Sequence, residues 1–147
     1  MPAMSFSWEP FGRVRQDEPA PEPAAPPETA PTRPLRREPA RALAIVTCMD
    51  ARIDPLAVLG LALGDAVVLR NAGAQVSDDV LRSLQMAHEA LGVKAVHVIG
   101  HTDCAAHDGD AELAAAEAAN GAERISAVIP GLSARAGLLD VRTGAVR

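Results

Sequence analysis

Three apolar runs separated by polar turns predict the strands of a parallel sheet. The first, Leu43–Cys48 (LAIVTC), is continuous and rich in β-branched residues, which is typical of a strand buried on both faces. Residues 66–70 (AVVLR) and 94–100 (KAVHVIG) predict a second and a third strand. A helical pattern lies between these two, so the segment is a βαβ unit and its strands are expected to run parallel.

Capping residues and helical spacing predict the helices. Ser77 is a predicted N-cap and Gly92 a predicted C-cap of a helix whose apolar residues recur every three or four positions. Asp54 is expected to cap a short helix that has Pro55 at its first position. Residues 110–120 are alanine-rich, which favours another helix.

The last apolar run, at residues 138–141, predicts a final strand followed by a turn at 143–144. The expected fold class is therefore α/β, a mostly parallel sheet of about four strands flanked by helices. The final strand is placed at the sheet edge, and an antiparallel orientation there remains an open alternative.

The first 40 residues differ in composition from the rest of the chain. They hold ten of the twelve prolines and no long apolar run, so we expect a disordered or extended tail at 1–40 and a folded domain at 41–147. All the aromatic residues of the chain, Phe6, Trp8 and Phe11, lie in this tail. Their cluster is interpreted either as part of a leader without function or as a docking segment for another subunit.

Charge and cysteine content narrow the function classes. A formal net charge of -5 argues against nucleic acid or an anionic membrane as a partner. No apolar stretch is long enough to span a membrane and no secretory signal begins the chain, which favours a cytoplasmic location. In that compartment the two cysteines are expected to form a metal or redox pair rather than a structural disulfide.

Polar residues follow the first and third predicted strands at their carboxyl ends, where sites assemble in open parallel sheets. The candidates are Cys48, Asp50, Arg52, His101, Asp103 and Cys104. Two thiolates and one imidazole make a three-ligand zinc set that leaves one position for water. As alternatives, Cys48 is a small buried residue at a strand end and His101 a loop histidine. His97, inside the third strand, is interpreted as a hydrogen-bonded core residue.

At these positions the sequence resembles the beta-class carbonic anhydrases, and most of all their compact, short-chain branch. That family carries C-x-D-x-R after its first strand, R-N-x-x after the second and H-x-x-C after the third. The chain has CMDAR, RNAG and HTDC in the same order. The resemblance covers residues 42–104, with a plausible last strand near the carboxyl terminus.

The resemblance implies a site and a reaction. Cys48, His101 and Cys104 would hold one Zn²⁺ per chain, while Asp50 and Arg52 would form a catalytic pair. When that pair is broken, Asp50 itself would bind the zinc and close the site. The implied activity is the reversible hydration of carbon dioxide to bicarbonate and a proton by a zinc-bound hydroxide. The family also implies a homodimer or a higher homo-oligomer.

Departures from the family pattern leave alternatives open. Ala105 and Ala106 stand where the family has glycine after the second cysteine, and alanine would be strained there if the position requires a positive φ. His107 is a candidate proton shuttle in a loop. The competing functions are a catalytically weak or silent zinc-binding member with a regulatory or scaffolding role, and a hydrolase of a carbon dioxide analogue such as carbon disulfide.

Overall fold

The computed structural model describes residues 33–147. Four strands and two α-helices make up the fold, and short 3₁₀ helices occupy Ala57–Leu59 and Ala105–His107. In chain order the elements are β1 (Leu43–Cys48), β2 (Ala66–Asn71), α1 (Asp78–Leu91), β3 (Ala95–His101), α2 (Ala111–Val128) and β4 (Ser133–Leu139). The predicted α/β class with a four-stranded parallel sheet is confirmed.

The strand order is β2-β1-β3-β4, and every neighbouring pair is parallel. The antiparallel alternative for the last strand is therefore wrong, and β4 begins at Ser133 instead of residue 138. The cause is the length of α2, which crosses the sheet and returns the chain to the same end from which β3 started. Antiparallel pairing is confined to a bridge between Leu139 and Val146 after the turn.

The strand order decides what covers each face of the sheet. The β2-to-β3 and β3-to-β4 connections move in one direction across the sheet and the β1-to-β2 connection moves in the other. Because parallel crossovers are right-handed, the β2-to-β3 and β3-to-β4 connections lie on one face and the β1-to-β2 connection lies on the opposite face. We call these the helix face, covered by α1 and α2, and the connector face, covered by residues 49–65 and the chain end.

Side chains alternate between these faces. Ala44, Val46, Val96 and Val98 pack on the helix face with α1 and α2 residues, including Leu84. On the connector face, Ile45 and Ile99 belong to a separate cluster with the connection between β1 and β2. Ile53 of that connection is buried, but the other covering residues are only partly buried: Leu56, Val58, Leu59, Leu61, Val141 and Val146.

The predicted caps of α1 are confirmed, and α2 is longer than predicted. The Ser77 hydroxyl accepts from the Val80 N–H at 3.3 Å, and Gly92 ends α1 at φ 73°. Helix α2 runs to Val128 instead of ending near residue 120, because Gly121 and Ile125 continue its buried stripe. Gly121 is required for this packing, since a Cβ there would lie 2.6 Å from Val76 Cγ2.

The connection from β1 to β2 forms only part of the predicted helix. Asp54 Oδ1 accepts hydrogen bonds from the Leu56 and Ala57 N–H groups, both at 3.1 Å, but the residue at the N-cap is Leu56 and Pro55 lies outside the helix. The helix itself is one 3₁₀ turn, Ala57–Leu59, which Gly60 ends at φ 64°. This face of the sheet therefore lacks the broad apolar helix that covers the other.

Residues 1–32, with the aromatic cluster, lie outside the described residues, so the domain division at residue 40 stays a prediction. The part of the predicted tail that is described contacts the domain. Arg33 Nη2 lies 2.5 Å from Asp65 Oδ1, and the Ala40 N–H donates to the Gly64 carbonyl at 2.9 Å. Within residues 33–147, no helix is both long and apolar enough to cross a membrane.

Candidate metal centre

The ends of β1 and β3 bring the candidate residues to one edge of the sheet. The two strands are direct neighbours and run parallel, with Thr47 opposite Ile99. Cys48 is the last residue of β1 and His101 the last of β3, and Cys104 follows after a tight turn. A site assembled from the two motifs requires this adjacency of the first and third strands.

Cys48, His101 and Cys104 form one compact buried group. Their donor atoms all lie within 4.8 Å of one another. Zinc binds sulfur at about 2.3 Å and imidazole nitrogen at about 2.0–2.1 Å, so donors this close can share one ion. Within residues 33–147, no other set of three or more cysteine, histidine or acidic residues is close enough to hold a metal ion.

The orientation of His101 fits a metal ligand. Its Nδ1 lies 2.8 Å from the Thr102 carbonyl oxygen, a partner that requires the proton on Nδ1. The Nε2 lone pair then faces the cysteines, and this buried nitrogen has no hydrogen-bond partner among the described residues. A buried polar atom without a partner is costly. A bound cation satisfies it, and fixing the ring through the other nitrogen is typical of histidine ligands.

The two thiols lie in a buried, weakly polar setting. Cys104 is 1% exposed, and burial raises the pKa of its thiol, an effect to which the neighbouring Cys48 adds. Cys48 Sγ accepts the Gly73 N–H at 3.4 Å, in the turn after β2. Both cysteines are free. Their sulfurs are thus available to a metal, which favours the thiolate form.

Asp50 and Arg52 form a tight ion pair at the border of this group. Arg52 Nη2 donates to Asp50 Oδ2 at 2.8 Å and Nε donates to Oδ1 at 3.0 Å, the fork geometry typical of arginine and carboxylate. Hydrogen bonds from the Arg52 side chain hold the pKa of the Asp50 carboxyl well below its usual range. Asp50 Oδ2 also lies 3.9 Å from His101 Nε2, which places an ionised carboxylate beside the donor group.

Arg52 has a second acidic partner. Its Nη1 donates to Asp103 Oδ2 at 3.0 Å, and its Nη2 donates to the Asp103 carbonyl at 3.1 Å. Hydrogen bonds to Asp50 and then Asp103 raise the pKa of Arg52 further, so the cation is permanent. Sequence reasoning placed Asp103 at this edge but gave it no role, because spacing alone does not reveal which side chains meet.

Arg70 is a site residue that only a weak signal in the sequence indicates. Its Nε donates to the Cys48 carbonyl at 2.9 Å and its Nη2 donates to the Asp50 carbonyl at 2.8 Å. These bonds fix the backbone on both sides of Met49. The signal was the position of Arg70 near the carboxyl end of β2, in the RNAG turn, beside the strand that ends at Cys48.

Three expectations from the sequence differ from the structure. Ala105 lies in a 3₁₀ helix, and neither it nor Ala106 is among the residues with positive φ, so the condition for strain at these alanines is not met. His107 is 5% exposed, and both of its nitrogens are buried, which does not suit exchange of protons with buffer. The His97 imidazole makes no hydrogen bond among the described residues, and burial lowers its pKa.

Known proteins resemble this chain in sequence. A sequence model of the carbonic anhydrase family matches residues 43–136. Beta-carbonic anhydrase 1 of Mycobacterium tuberculosis is 48% identical over 71 residues, which are 48% of this chain and 44% of that protein. A carbon disulfide hydrolase of Saccharolobus solfataricus is 45% identical over 64 residues, 44% of this chain and 31% of that protein. The chain thus spans less than half the length of these curated relatives.

Solved structures give the same result. The carbonic anhydrase of Streptococcus mutans has a TM-score of 0.61 at 35% identity, covering 80% of this chain and 86% of that one. The carbonic anhydrase of Glaciozyma antarctica has a TM-score of 0.65 at 29% identity, covering 76% and 83%. Since the family match extends over more than half of the sequence and the neighbours share its fold, the chain belongs to the beta-class carbonic anhydrase family.

Proposed function

We propose that this protein is a zinc-dependent carbonic anhydrase, a lyase that interconverts carbon dioxide with bicarbonate and a proton. The observation that carries the proposal is the unpartnered Nε2 of His101, which faces two free cysteines and lies beside an ionised Asp50. Family membership alone leaves the reaction open, because relatives of similar identity include both carbonic anhydrases and carbon disulfide hydrolases.

Cys48, His101 and Cys104 are the proposed zinc ligands. This set leaves one position that the three do not fill, as is typical of catalytic rather than structural zinc. Bound zinc supplies Lewis acidity, lowering the pKa of a coordinated water toward about 7. The chain sets the strength of that effect, because two thiolates give the metal more negative charge than imidazoles would.

Asp50 and Arg52 are the proposed catalytic residues. An ionised carboxylate accepts hydrogen bonds and cannot donate one, so Asp50 orients a nucleophile that carries a proton. Arg52 donates hydrogen bonds to both oxygens of the Asp50 carboxylate, and these bonds would hold the carboxylate away from the metal position. Asp50 Oδ2 is nevertheless near enough to the His101 Nε2 that a rotated Asp50 would be able to bind the metal as a fourth ligand and close the site.

The proposed assembly is a homodimer or a higher homo-oligomer. The connector face supports it, since most of the apolar residues that cover it are only partly buried and Met49 and Leu63 are 67% and 63% exposed. Two beta-carbonic anhydrases from Sordaria macrospora that share the fold are tetrameric. The proposed location is the cytoplasm, where reduced cysteines are available to bind zinc.

Two other functions remain as competitors. Carbon disulfide hydrolysis would use the same activated water, and the 45% identical relative from Saccharolobus solfataricus favours it as the second candidate. A silent zinc-binding member would not need the Asp50–Arg52 pair, whose fork geometry argues for catalysis. The relaxed backbone at Ala105 removes the one strain that counted against an active site.

Metal analysis joined to stopped-flow assays of the reduced protein tests the proposal. We expect one zinc per chain, and hydration of carbon dioxide above background. Asp50→Asn should retain the zinc and lose about 10²-fold or more of the rate, as expected for a group that positions a proton. Asp54→Asn is the matched control, because it changes an exposed aspartate of the same segment that caps a turn.

The outcomes separate the candidates. Zinc with carbon disulfide hydrolysis but no carbon dioxide hydration would replace the proposed substrate with the analogue. Zinc without either activity would favour the silent member. A folded, reduced protein that takes up no zinc would overturn all three functions.

A further inference from the structure

We infer that Asp103 is a positioning residue that anchors Arg52, and that this anchor helps to keep Asp50 away from the metal position. The inference rests on the proposed function, because it concerns the regulation of that same site. It starts from the two contacts that Arg52 makes with Asp103, one to its carboxylate and one to its carbonyl, at 3.0 and 3.1 Å.

The anchor joins the two halves of the site. Arg52 follows β1 and Asp103 follows β3, so their ion pair links the ends of neighbouring strands. Asp103 adopts a left-handed backbone at φ 53°, a conformation that costs a non-glycine residue energy. That conformation turns its carbonyl and its carboxylate toward the same guanidinium, and both contacts would be lost if the turn relaxed.

An unanchored Arg52 has space and partners elsewhere. A pocket of about 300 Å³ borders the pair and is lined by Arg52, Thr102, Asp103, Asp140, Val141 and Arg142. Asp140 offers an alternative carboxylate on that side. Arg52 is 47% exposed, so packing alone does not hold the guanidinium beside Asp50. Whenever the Arg52 side chain moves away, the Asp50 carboxylate loses its main partner and lies 3.9 Å from the His101 Nε2.

Asp103→Asn tests the anchor without disturbing the backbone, because asparagine adopts left-handed φ as readily as aspartate. Asp108→Asn is the matched control. Asp108 lies in the same segment at φ 51°, and its carboxylate makes no hydrogen bond or ion pair among residues 33–147. Any general effect of one lost charge or one left-handed asparagine should appear in both variants.

The first readout is the rotation rate of the Arg52 guanidinium, measured by ¹⁵N exchange NMR on the zinc-loaded protein. Exposed ion pairs shift equilibria by up to about fivefold, so we expect rotation roughly two- to fivefold faster in Asp103→Asn. Asp108→Asn should match the wild type. Equal rates in the two variants would overturn the anchor.

The second readout is azide binding to the cobalt-loaded protein, followed by visible absorption. Azide needs the position that a rotated Asp50 would occupy, so its apparent affinity falls in proportion to the open fraction. We expect a weaker affinity, by at most about fivefold, in Asp103→Asn alone. Faster rotation with unchanged azide affinity would overturn the influence on Asp50. Neither readout requires carbon dioxide hydration, so an inactive enzyme would contradict the proposed function and leave this test intact.

Discussion

The two faces of the sheet are covered by different kinds of structure. On the helix face, α1 and α2 bury Val46, Val98 and Leu84 completely. On the connector face, the cover is a 3₁₀ turn with Leu56 and Leu59 and the chain end with Val146, all only partly buried. The helix face holds the larger set of buried apolar residues, so it should contribute more to the stability of the domain. The connector face leaves more apolar surface accessible and contributes Cys48 and Cys104 to the candidate metal centre.

The difference teaches where substitutions should act on folding and where on metal binding. Substitutions can be made separately on the helix face, on the connector face and among the candidate ligands. Pairs of matched variants then separate effects on folding from effects on metal binding.

The largest effect is expected from His101→Asn. It removes one of three proposed ligands, and zinc affinity should fall by more than the 10- to 100-fold typical of losing a residue that only supports a ligand. His97→Asn is the matched control on the same strand and face, and it should bind zinc like the wild type. A competition titration with a chromophoric chelator measures both, and equal affinities would remove His101 from the ligand set.

Leu84→Ala should lower the free energy of unfolding by about 2–5 kcal/mol, because a completely buried leucine leaves a cavity on the helix face. Leu56→Ala makes the same chemical change on the connector face and should cost the monomer less, since Leu56 is already partly exposed. Urea unfolding measures the two losses. Equal losses in a sample shown to be monomeric would mean that the two faces are equally packed.

Gly73→Ala should be more harmful than Gly60→Ala. Both glycines have positive φ, at 81° and 64°, so both variants carry a backbone cost of about 1–2 kcal/mol. A Cβ on Gly73 would also lie 2.8 Å from His107 Cε1, whereas Gly60 faces open space. The melting temperature and the zinc affinity should both fall further in Gly73→Ala than in Gly60→Ala, because the Gly73 N–H contacts Cys48 Sγ. Identical losses in the two variants would exclude a role for the contact between Gly73 and Cys48.

The smallest effect concerns acid stability at the end of the connector. The Ala62 N–H and then Arg33 lower the pKa of Asp65, so its stabilising contribution is present above the unfolded pKa near 3.9 and is lost as pH falls below it. Asp65→Asn should therefore have a lower melting temperature than the wild type at pH 6. The difference should shrink toward pH 3, and a constant difference would contradict the assignment.

Local patterns predicted those parts of the fold that local interactions determine. The β-branched run of β1 and the Ser77 and Gly92 caps needed no knowledge of distant contacts. The start of β4 was missed because Ser133 and the residues after it alternate weakly and take their conformation from pairing with β3. The length of helix α2 was underestimated because Gly121 weakens the local helix signal, whereas in the structure it allows close packing against Val76 and Val98.

The site divides in the same way. CMDAR and HTDC placed the candidate ligands at two strand ends, and parallel pairing of β1 with β3 brings them together. The contacts of Arg52 with Asp103 and of Arg70 with two carbonyls depend on side-chain paths between strands. No spacing in the sequence encodes those paths, so they required the structure.

The central claim is that one zinc ion binds Cys48, His101 and Cys104. X-ray absorption at the zinc edge of the reduced, zinc-loaded protein tests it most directly. The account predicts one zinc per chain with two sulfur neighbours at about 2.3 Å and two nitrogen or oxygen neighbours at about 2.0–2.1 Å. A folded protein that binds no zinc, or a zinc without sulfur neighbours, would contradict it.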